Sequence, residues 1–394
     1  MKFTEEHQQL RETVEKFVES ELNPYVEQWE REGIYPAHEV MKKLGDLGLL
    51  GITRSAECGG LELDLSYTIV MAEALGKCHC SGIPMSIGVQ TDMCTPALAN
   101  FGSDYLKENF LKPSIAGDMV GSIGVSESGG GSDVAAVKTT AVKDGDDYVI
   151  NGEKMWITNG MQADWICLLA NTSEGKPHQN KSLIIVPMDA KGVERSRKLD
   201  KMGMRASDTA QLFFDNVRVP RRHLIGEVEG LGFMQQMSQF QDERIWGAAN
   251  LASGLEEALD MTKEYTKERK TFGQSILDNQ FVHFKLAELS TEIEALKSLT
   301  YRAAALHIER NDPFDMDVVR LASMAKYKAG RLGREVLDWC VQFHGGMGYM
   351  FETRINRLYR DVRLVAIGGG ADEIMLGIIC KLEGTLPRKK SSLT

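Results

Sequence analysis

A glutamate between an aspartate and an arginine is the strongest candidate for acid–base chemistry in this sequence. Glu243 lies in the run Phe240-Gln241-Asp242-Glu243-Arg244, which opens a helical stretch predicted to reach about Lys267. A carboxylate held away from water can act as a general base. At 100° per residue, however, Glu243 falls off the apolar stripe of that helix, so a solvated surface glutamate is the alternative. Asp242 is the nearest competing carboxylate.

A glycine-rich loop is the strongest candidate for ligand binding. The run from Ser126 to Asp133 reads Ser-Glu-Ser-Gly-Gly-Gly-Ser-Asp, and its backbone N–H groups could bind an anion or a heterocycle oxygen. It lacks the G-x-G-x-x-G dinucleotide fingerprint, and a flexible loop without a ligand is the alternative. Trp156 and Thr158, beside the Asn159-Gly160 turn, offer an aromatic face and a hydroxyl, or form the end of an amphipathic strand.

Three later segments could contact a charged ligand. Arg269-Lys270-Thr271-Phe272-Gly273 and the nearby Gln280 suit a phosphate, although a lone Arg-Lys pair is more often solvated. The run from Gln342 to Gly348 ends a predicted helix, and a capped C-terminus is the simpler interpretation. The segment from Lys201 to Thr209 could serve a charged ligand or a solvated hairpin.

Three regions of different periodicity must position these candidates. Residues 1–117 carry apolar residues at helical spacing. Residues 118–225 contain short apolar runs between turn signals, which predict a small antiparallel β domain; the turn signals are Asp144-Gly145, Asn151-Gly152 and Asn159-Gly160. Residues 226–394 return to the helical period and predict a bundle of three or four long antiparallel helices. The expected fold is mainly α with a middle β domain.

Composition excludes several classes of function. The 394 residues carry a net charge of −10, which argues against nucleic acid or an acidic membrane surface as the main partner. No apolar run approaches the roughly 20 residues of a membrane span, so stable membrane insertion is not expected. Cys78-His79-Cys80 has no second pair at zinc spacing, so no metal site is predicted.

Neither end of the sequence carries a targeting signal. The first residues lack the character of a secretory signal, and Ser391-Ser392-Leu393-Thr394 is not a peroxisomal ending. We expect a cytoplasmic protein, or a mitochondrial matrix protein if the sequence lacks its transit peptide.

Taken together and in order, five of these segments resemble the acyl-CoA dehydrogenase family over essentially the whole chain, most of all its long-chain and citronellyl-CoA-type members. The segments are Ser126 to Asp133, Met155 to Gly160, Lys201 to Thr209, Arg269 to Gly273 and Gln342 to Gly348. The resemblance implies an N-terminal helical domain, a β-barrel-like middle domain and a C-terminal four-helix bundle. It also implies assembly into a homotetramer, or a homodimer.

The resemblance implies FAD as cofactor. The flavin ring would contact Ser126, Trp156 and Thr158. The FAD pyrophosphate and adenosine would contact Arg269, Phe272 and Gln280, with Gln342, Gly345 and Gly346 contributed by a neighbouring subunit. Ala371 and Glu373 would lie at a further flavin contact, where Ala371 replaces the family's threonine.

The resemblance implies an acyl-CoA thioester as substrate. Ser132 would contact the CoA arm, and the substrate side would be lined by Phe240, Gln241 and Arg244. Gly88 aligns with the floor of the acyl pocket in the family. A glycine there could admit a long or branched tail, or could equally serve helix packing.

The position of the base is where this chain departs from most of the family. Most members carry the catalytic glutamate just before the Gly370 position, where this chain has Gly369. In long-chain and isovaleryl-type members the base comes from the bundle helix, at the position that matches Glu243. The resemblance therefore implies that Glu243 removes the α-proton, hydride passes to flavin N5, and a trans-2-enoyl-CoA forms.

Electrons would then pass to an electron-transferring flavoprotein. One alternative keeps the fold but uses O₂, as an acyl-CoA oxidase or a flavin monooxygenase. Another is a non-catalytic acyl-CoA-binding protein that has lost the base at Gly369.

Overall fold

The computed structural model describes residues 1–387, so the Ser391–Thr394 ending lies outside the described residues. Short helices, several of them extended by π-helical turns, form the N-terminal region. They are α1 (Glu5–Phe17), α2 (Val26–Glu32), α3 (Ala37–Asp46), α4 (Leu65–Leu75), α5 (Gly82–Gly88), α6 (Thr95–Phe101), α7 (Asp104–Leu106) and α8 (Lys112–Ile115). The expected helices are present, but the one predicted from Val89 to Phe101 is a π-helical turn followed by α6.

One seven-stranded sheet follows. Its strands are β1 (Gly121–Gly124), β2 (Thr140–Asp144), β3 (Asp147–Thr158), β4 (Trp165–Asn171), β5 (Lys181–Pro187), β6 (Val193–Arg195) and β7 (Thr209–Pro220). The strand order is β1-β4-β2-β3-β7-β6, with β5 also paired to β4. Most neighbouring strands pair antiparallel as predicted, but β4 departs from the prediction because it pairs in parallel with both β1 and β2.

The apolar runs of the sheet are continuous because its central strands are buried on both faces. In β4, Trp165, Cys167 and Leu169 pack with the N-terminal helices, whereas Ile166, Leu168 and Ala170 pack on the opposite side. The predicted turn at Asn151-Gly152 is also wrong. This pair lies inside β3 at a register shift, where Gly152 has φ +144° and a Cβ would lie 2.7 Å from Thr139 Oγ1.

Long helices form most of the remaining described chain. They are α9 (Gly232–Glu268), α10 (Gln280–Arg310) and α11 (Met316–His344), followed by the shorter α12 (Gly346–Tyr349), α13 (Arg354–Val362) and α14 (Asp372–Leu382). A two-stranded ribbon, β8 (Lys270–Thr271) and β9 (Gln274–Ser275), connects α9 to α10. The helix carrying Glu243 begins at Gly232, so Phe240 does not open it but lies inside it.

Two contacts fix α9 against the rest of the molecule. At its start, a Cβ on Gly232 would lie 2.4 Å from the Ser182 carbonyl carbon, so only glycine lets the helix approach β5 this closely. Further along, Ile245, Trp246 and Ala249 share a buried cluster with the N-terminal helices. Helix α9 therefore crosses the junction of all three regions with Glu243 in its first half. No helix within residues 1–387 is long and apolar enough to cross a membrane.

Candidate active site

Glu243 faces the glycine turn that precedes α14. A Cβ built on Gly369 would lie 2.9 Å from Glu243 Oε1, and Gly369 itself has φ +61°. A side chain at position 369 would therefore meet the Glu243 carboxylate and would also strain the backbone. The two positions compete for one space, and here the carboxylate reaches it from α9.

The Glu243 side chain is half-buried, and its carboxyl is more basic than that of an exposed glutamate. Desolvation raises its pKa above the ordinary glutamate value, while the positive charges of Arg244 and Lys326 oppose the rise. Lys326 projects from α11, and its ammonium donates to the carbonyl oxygens of Val365 and Gly370 (3.1 Å for Gly370) in the same turn. The site thus combines a desolvated carboxylate with two nearby cations.

Asp242, the competing carboxylate, is paired elsewhere. Its Oδ1 lies 2.8 Å from His307 Nε2 on α10. Burial of His307 opposes protonation, but the Asp242 carboxylate outweighs it and raises the pKa of the histidine. Asp242 therefore links α9 to α10, whereas Glu243 faces the glycine turn.

The predicted substrate-side residues form one cluster beside Glu243. Arg244 donates to Gln241 Oε1 (2.9 Å), and Gln241 donates to the Pro313 carbonyl (3.1 Å). The guanidinium carbon of Arg244 also lies 5.5 Å from the centre of the Phe240 ring. The Arg244 Nε atom is buried without a partner among the described residues, and such an orphan donor suits a polar ligand atom.

The glycine-rich loop is anchored at its base and open at its tip. Glu127 Oε1 lies 2.9 Å from the ammonium of Lys154, which is fully buried in β3. The backbone N–H of Met155 donates to the Ser126 carbonyl (2.9 Å). At the tip, Gly129 and Gly130 have no heavy atom within 4 Å of a Cβ position. The loop therefore has a fixed base and a tip with room for a ligand, on the surface that also exposes Ser132.

The end of β3 holds an aromatic side chain outward. Trp156 has φ +61°, which is rare for a bulky residue, and 55% of its surface is exposed. Asn159, just past Thr158, is buried and bonds both the Ser86 carbonyl of α5 and the Gly121 carbonyl of β1 (3.2 Å each). Trp156 and Thr158 thus stand on a rigid support and still reach the surface.

Gly88 packs directly against α9. A Cβ on Gly88 would lie 2.9 Å from the ring of Trp246, and Trp246, which is itself buried, fills that space. This contact favours the helix-packing alternative. It also connects the site: α5 joins the Asn159 end of β3 through Ser86, and it joins α9 through Trp246, less than one turn from Glu243.

The residues predicted to contact FAD pyrophosphate and adenosine lie together at the far end of the bundle. Arg269 caps the C-terminus of α9, and the nearby Tyr265 ring stacks on His344 at 4.3 Å. The ring of Phe281, next to Gln280, lies 5.5 Å from Trp339. The other members, Phe272, Gln342, Gly345 and Gly346, are all exposed.

This far end is remote from Glu243. Counting 1.5 Å per residue along α9, Arg269 lies about 40 Å from Glu243. One chain carries all of these residues at one tip, and their predicted division between two subunits stays a prediction.

Two residues predicted to lie at a flavin contact, Ala371 and Glu373, are at the start of α14. Ala371 is the N-cap of α14, and it makes no side-chain hydrogen bond, so it supplies none of the polar contacts a threonine offers. Glu373 is exposed. Within residues 1–387, no group of three or more His, Cys, Asp and Glu side chains is arranged to hold a metal ion.

Sequence reasoning missed Lys326. Only 5% of its surface is exposed, although lysine is rarely buried without a role. A signal was available, since Lys326 shares a helical face with Ala322, Ala329, Gly330 and Gly333. One cation on a face of small residues indicates a buried charge with an acceptor opposite.

Three family models match the chain in order. The acyl-CoA dehydrogenase N-terminal domain matches residues 4–118, the middle domain residues 122–217 and the C-terminal domain residues 230–382. The chain belongs to the acyl-CoA dehydrogenase family. The resemblance and the overall architecture inferred from the sequence are thereby confirmed. The chain is an oxidoreductase of the acyl-CoA dehydrogenase type.

Individual acyl-CoA dehydrogenases resemble the chain along nearly its whole length. The long-chain specific mitochondrial enzyme of Rattus norvegicus is 38% identical, over 96% of this chain and 86% of its own length. A crystal structure of an acyl-CoA dehydrogenase from Geobacillus kaustophilus is 37% identical with a TM-score of 0.91, covering 96% and 98% of the two chains. A glutaryl-CoA dehydrogenase from Mycobacterium smegmatis, solved in complex with FADH2, is 26% identical with a TM-score of 0.89, covering 98% and 97%.

Acyl-CoA dehydrogenases depend on FAD, and the residues of this chain fit that cofactor. The open tip at Gly129 and Gly130 leaves room for a ring system against the loop. The exposed Trp156 offers an aromatic face beside it. At the far end of the bundle, Arg269 is exposed and can pair with a phosphate.

Proposed function

We propose that this protein converts a fatty or branched acyl-CoA to the trans-2-enoyl-CoA, with Glu243 as the base that removes the α-proton. The observation that carries the proposal is the contact between Glu243 and Gly369. The carboxylate lies 2.9 Å from the place where a side chain at position 369 would begin. If α9 supplies the base in place of residue 369, its carboxylate must occupy this same space. The Glu243 carboxylate does so.

The environment of Glu243 suits removal of a weakly acidic proton. Burial raises its pKa, which strengthens the ionised form as a base. The positive charges of Arg244 and Lys326 oppose the rise because they favour the ionised form. FAD, when bound, accepts the β-hydride. The chain's own task is to hold the thioester with its α carbon at Glu243 and to exclude water from that contact.

The cofactor site is proposed to be completed by a second copy of the chain. FAD is far shorter than the distance of about 40 Å that separates Arg269 from Glu243 along α9. The tip also exposes apolar rings that a second copy could cover, namely Phe272, Phe281, Phe284, Tyr349 and Phe351. Both lines support a dimer as the smallest functional unit, and a homotetramer in which two such dimers associate.

The proposed activity is tested by mixing the FAD-loaded protein with acyl-CoA without oxygen. We expect the flavin absorbance to bleach and trans-2-enoyl-CoA to form in equal amount. A series of straight and methyl-branched acyl-CoAs then defines the tail, and electron-transferring flavoprotein is the expected acceptor. Substrate-dependent peroxide in air would favour the oxidase, and binding without bleaching would favour the non-catalytic alternative.

Mixed oligomers test the shared cofactor site. Arg269→Glu and Trp156→Ala should each lower FAD retention by about ten-fold or more, since a charge-assisted phosphate contact and a stacking face are lost. In a dimer that contains one copy of each variant, one cofactor site has both the intact Arg269 and the intact Trp156, and the other site has neither. We therefore expect mixing after dissociation to restore up to half of the FAD content. No recovery in oligomers shown by mass to be mixed would contradict a shared site.

A further inference from the structure

Lys326 places a buried positive charge against the same glycine turn that the Glu243 carboxylate approaches. From the Cβ position of Gly369, Glu243 Oε1 lies at 2.9 Å and Lys326 Cε at 3.6 Å. The two side chains therefore reach the same turn from different helices, α9 and α11. Only 5% of Lys326 is exposed, so water does not screen this charge as it would at the surface.

The ammonium is held in place by the turn itself. It donates to the carbonyls of Val365 and Gly370, which lie on either side of Gly369. Two of its three N–H donors are thereby used. The two hydrogen bonds bridge the residues from Val365 to Gly370, and this bridged segment holds Gly369 against Glu243. Lys326 thus joins the shape of the turn to the position of the base.

Other charged groups near Glu243 and Lys326 also influence how strongly the Lys326 charge favours the ionised form of Glu243. Arg244 lies beside Glu243 on α9, and the Asp372 carboxylate on α14 also faces Lys326. Asp92, from the π-helical turn after α5, lies near Glu243 on the side of the N-terminal helices, and burial raises the pKa of its carboxyl to about 7. Desolvation lowers the pKa of Lys326 to about 8, while the Glu243 and Asp372 carboxylates oppose that fall. The lysine therefore stays protonated at neutral pH.

We propose that Lys326 is a positioning residue for the base: its ammonium fixes the Val365–Gly370 turn over Glu243 and keeps the carboxylate ionised. In family members with a glutamate at position 369 the base belongs to the turn, so a cation under the turn would hold the base directly. In this chain the base comes from another helix, and the cation must act across the turn. This inference rests on the proposed role of Glu243.

The sign of the pH effect follows from the charges. Proton removal needs ionised Glu243, so flavin reduction is lost as the pH falls through the pKa of this carboxyl. The pKa is already raised by burial. Removal of the Lys326 charge takes away an interaction that favours the ionised form, so the pKa rises further. The acid limb of the reaction must then move to higher pH.

Two variants separate charge from turn geometry. Lys326→Gln removes the charge but keeps an N–H donor, whereas Lys326→Met removes both. The pH dependence of anaerobic flavin reduction should show the acid limb moved upward by about one unit in both variants. Lys326→Met should also lower the limiting rate, because the turn loses its anchor. Lys328→Gln is the matched control, since Lys328 is two residues away and pairs with Glu292 instead; its acid limb should not move.

An infrared titration of the Glu243 carboxyl supplies a readout independent of turnover. The band is identified as the one that disappears in Glu243→Gln, and its midpoint should move upward with Lys326→Gln. Unmoved midpoints and acid limbs in an FAD-retaining Lys326→Gln protein would overturn the inference. If instead Glu243→Gln bleaches normally, the base assignment fails, while the infrared titration still tests the coupling between the two side chains. The two failures are thus distinguishable.

Discussion

Glu243→Gln is expected to lower the rate of anaerobic flavin reduction by acyl-CoA by about 10²–10⁴-fold, the usual contribution of a general base. Glutamine keeps the size of the side chain, so the packing against Gly369 is retained. Because only the proton acceptor is removed, acyl-CoA should still bind. Stopped-flow bleaching gives the rate, and the spectral change of oxidised flavin on binding gives the affinity.

Asp242→Asn is the matched control for this substitution. It removes the adjacent negative charge from the same helix, but Asp242 pairs with His307 across the bundle. We expect the bleaching rate to change by less than about ten-fold, together with some loss of stability, because a partly buried ion pair is broken. The reverse pattern, with Asp242→Asn slow and Glu243→Gln fast, would assign the base to Asp242.

Residue types and their period were sufficient for the order of the secondary structure. The apolar stripe of α11, from Val318 to Val336, is buried as its period predicts, because a helix in a bundle must hide one face. Pairing in the sheet was harder to predict. A continuous apolar run such as β4 does not distinguish parallel from antiparallel neighbours, because both faces of the strand are covered in either arrangement.

The active site shows which information the sequence lacks. The exchange between positions 243 and 369 was inferred from the resemblance, but only the fold shows that the two positions meet. Lys326 lies 83 residues after Glu243 in the sequence, and no local pattern connects them. Gly88 was ambiguous for the same reason: whether a glycine opens a pocket depends on the residue opposite, and Trp246 comes from a different helix.

Moving the base back to the glycine turn is the second substitution with a large expected effect. Glu243→Gly alone should lower the bleaching rate to the same level as Glu243→Gln does. Adding Gly369→Glu places a carboxylate in the vacated space, because a Cβ at 369 begins 2.9 Å from where the Glu243 oxygen lies. We expect the flavin of the double variant to be reduced about ten-fold faster than that of Glu243→Gly alone. Full recovery is not expected, since a displacement of 1 Å can lower a rate about 10²-fold.

The backbone and a second control decide how the exchange is interpreted. Gly369 has φ +61°, so a glutamate there should lower the free energy of unfolding by about 1–2 kcal/mol, measurable by denaturant titration. Gly369→Gln with Glu243→Gly carries the same strain without a base and should show no recovery. Gly369→Glu in the presence of Glu243 crowds two carboxylates into one space and should be slower than wild type. If the double variant recovered no more than its glutamine control, the two positions would share packing space but not the reacting carbon, and position 243 would have to be judged on its own substitution alone.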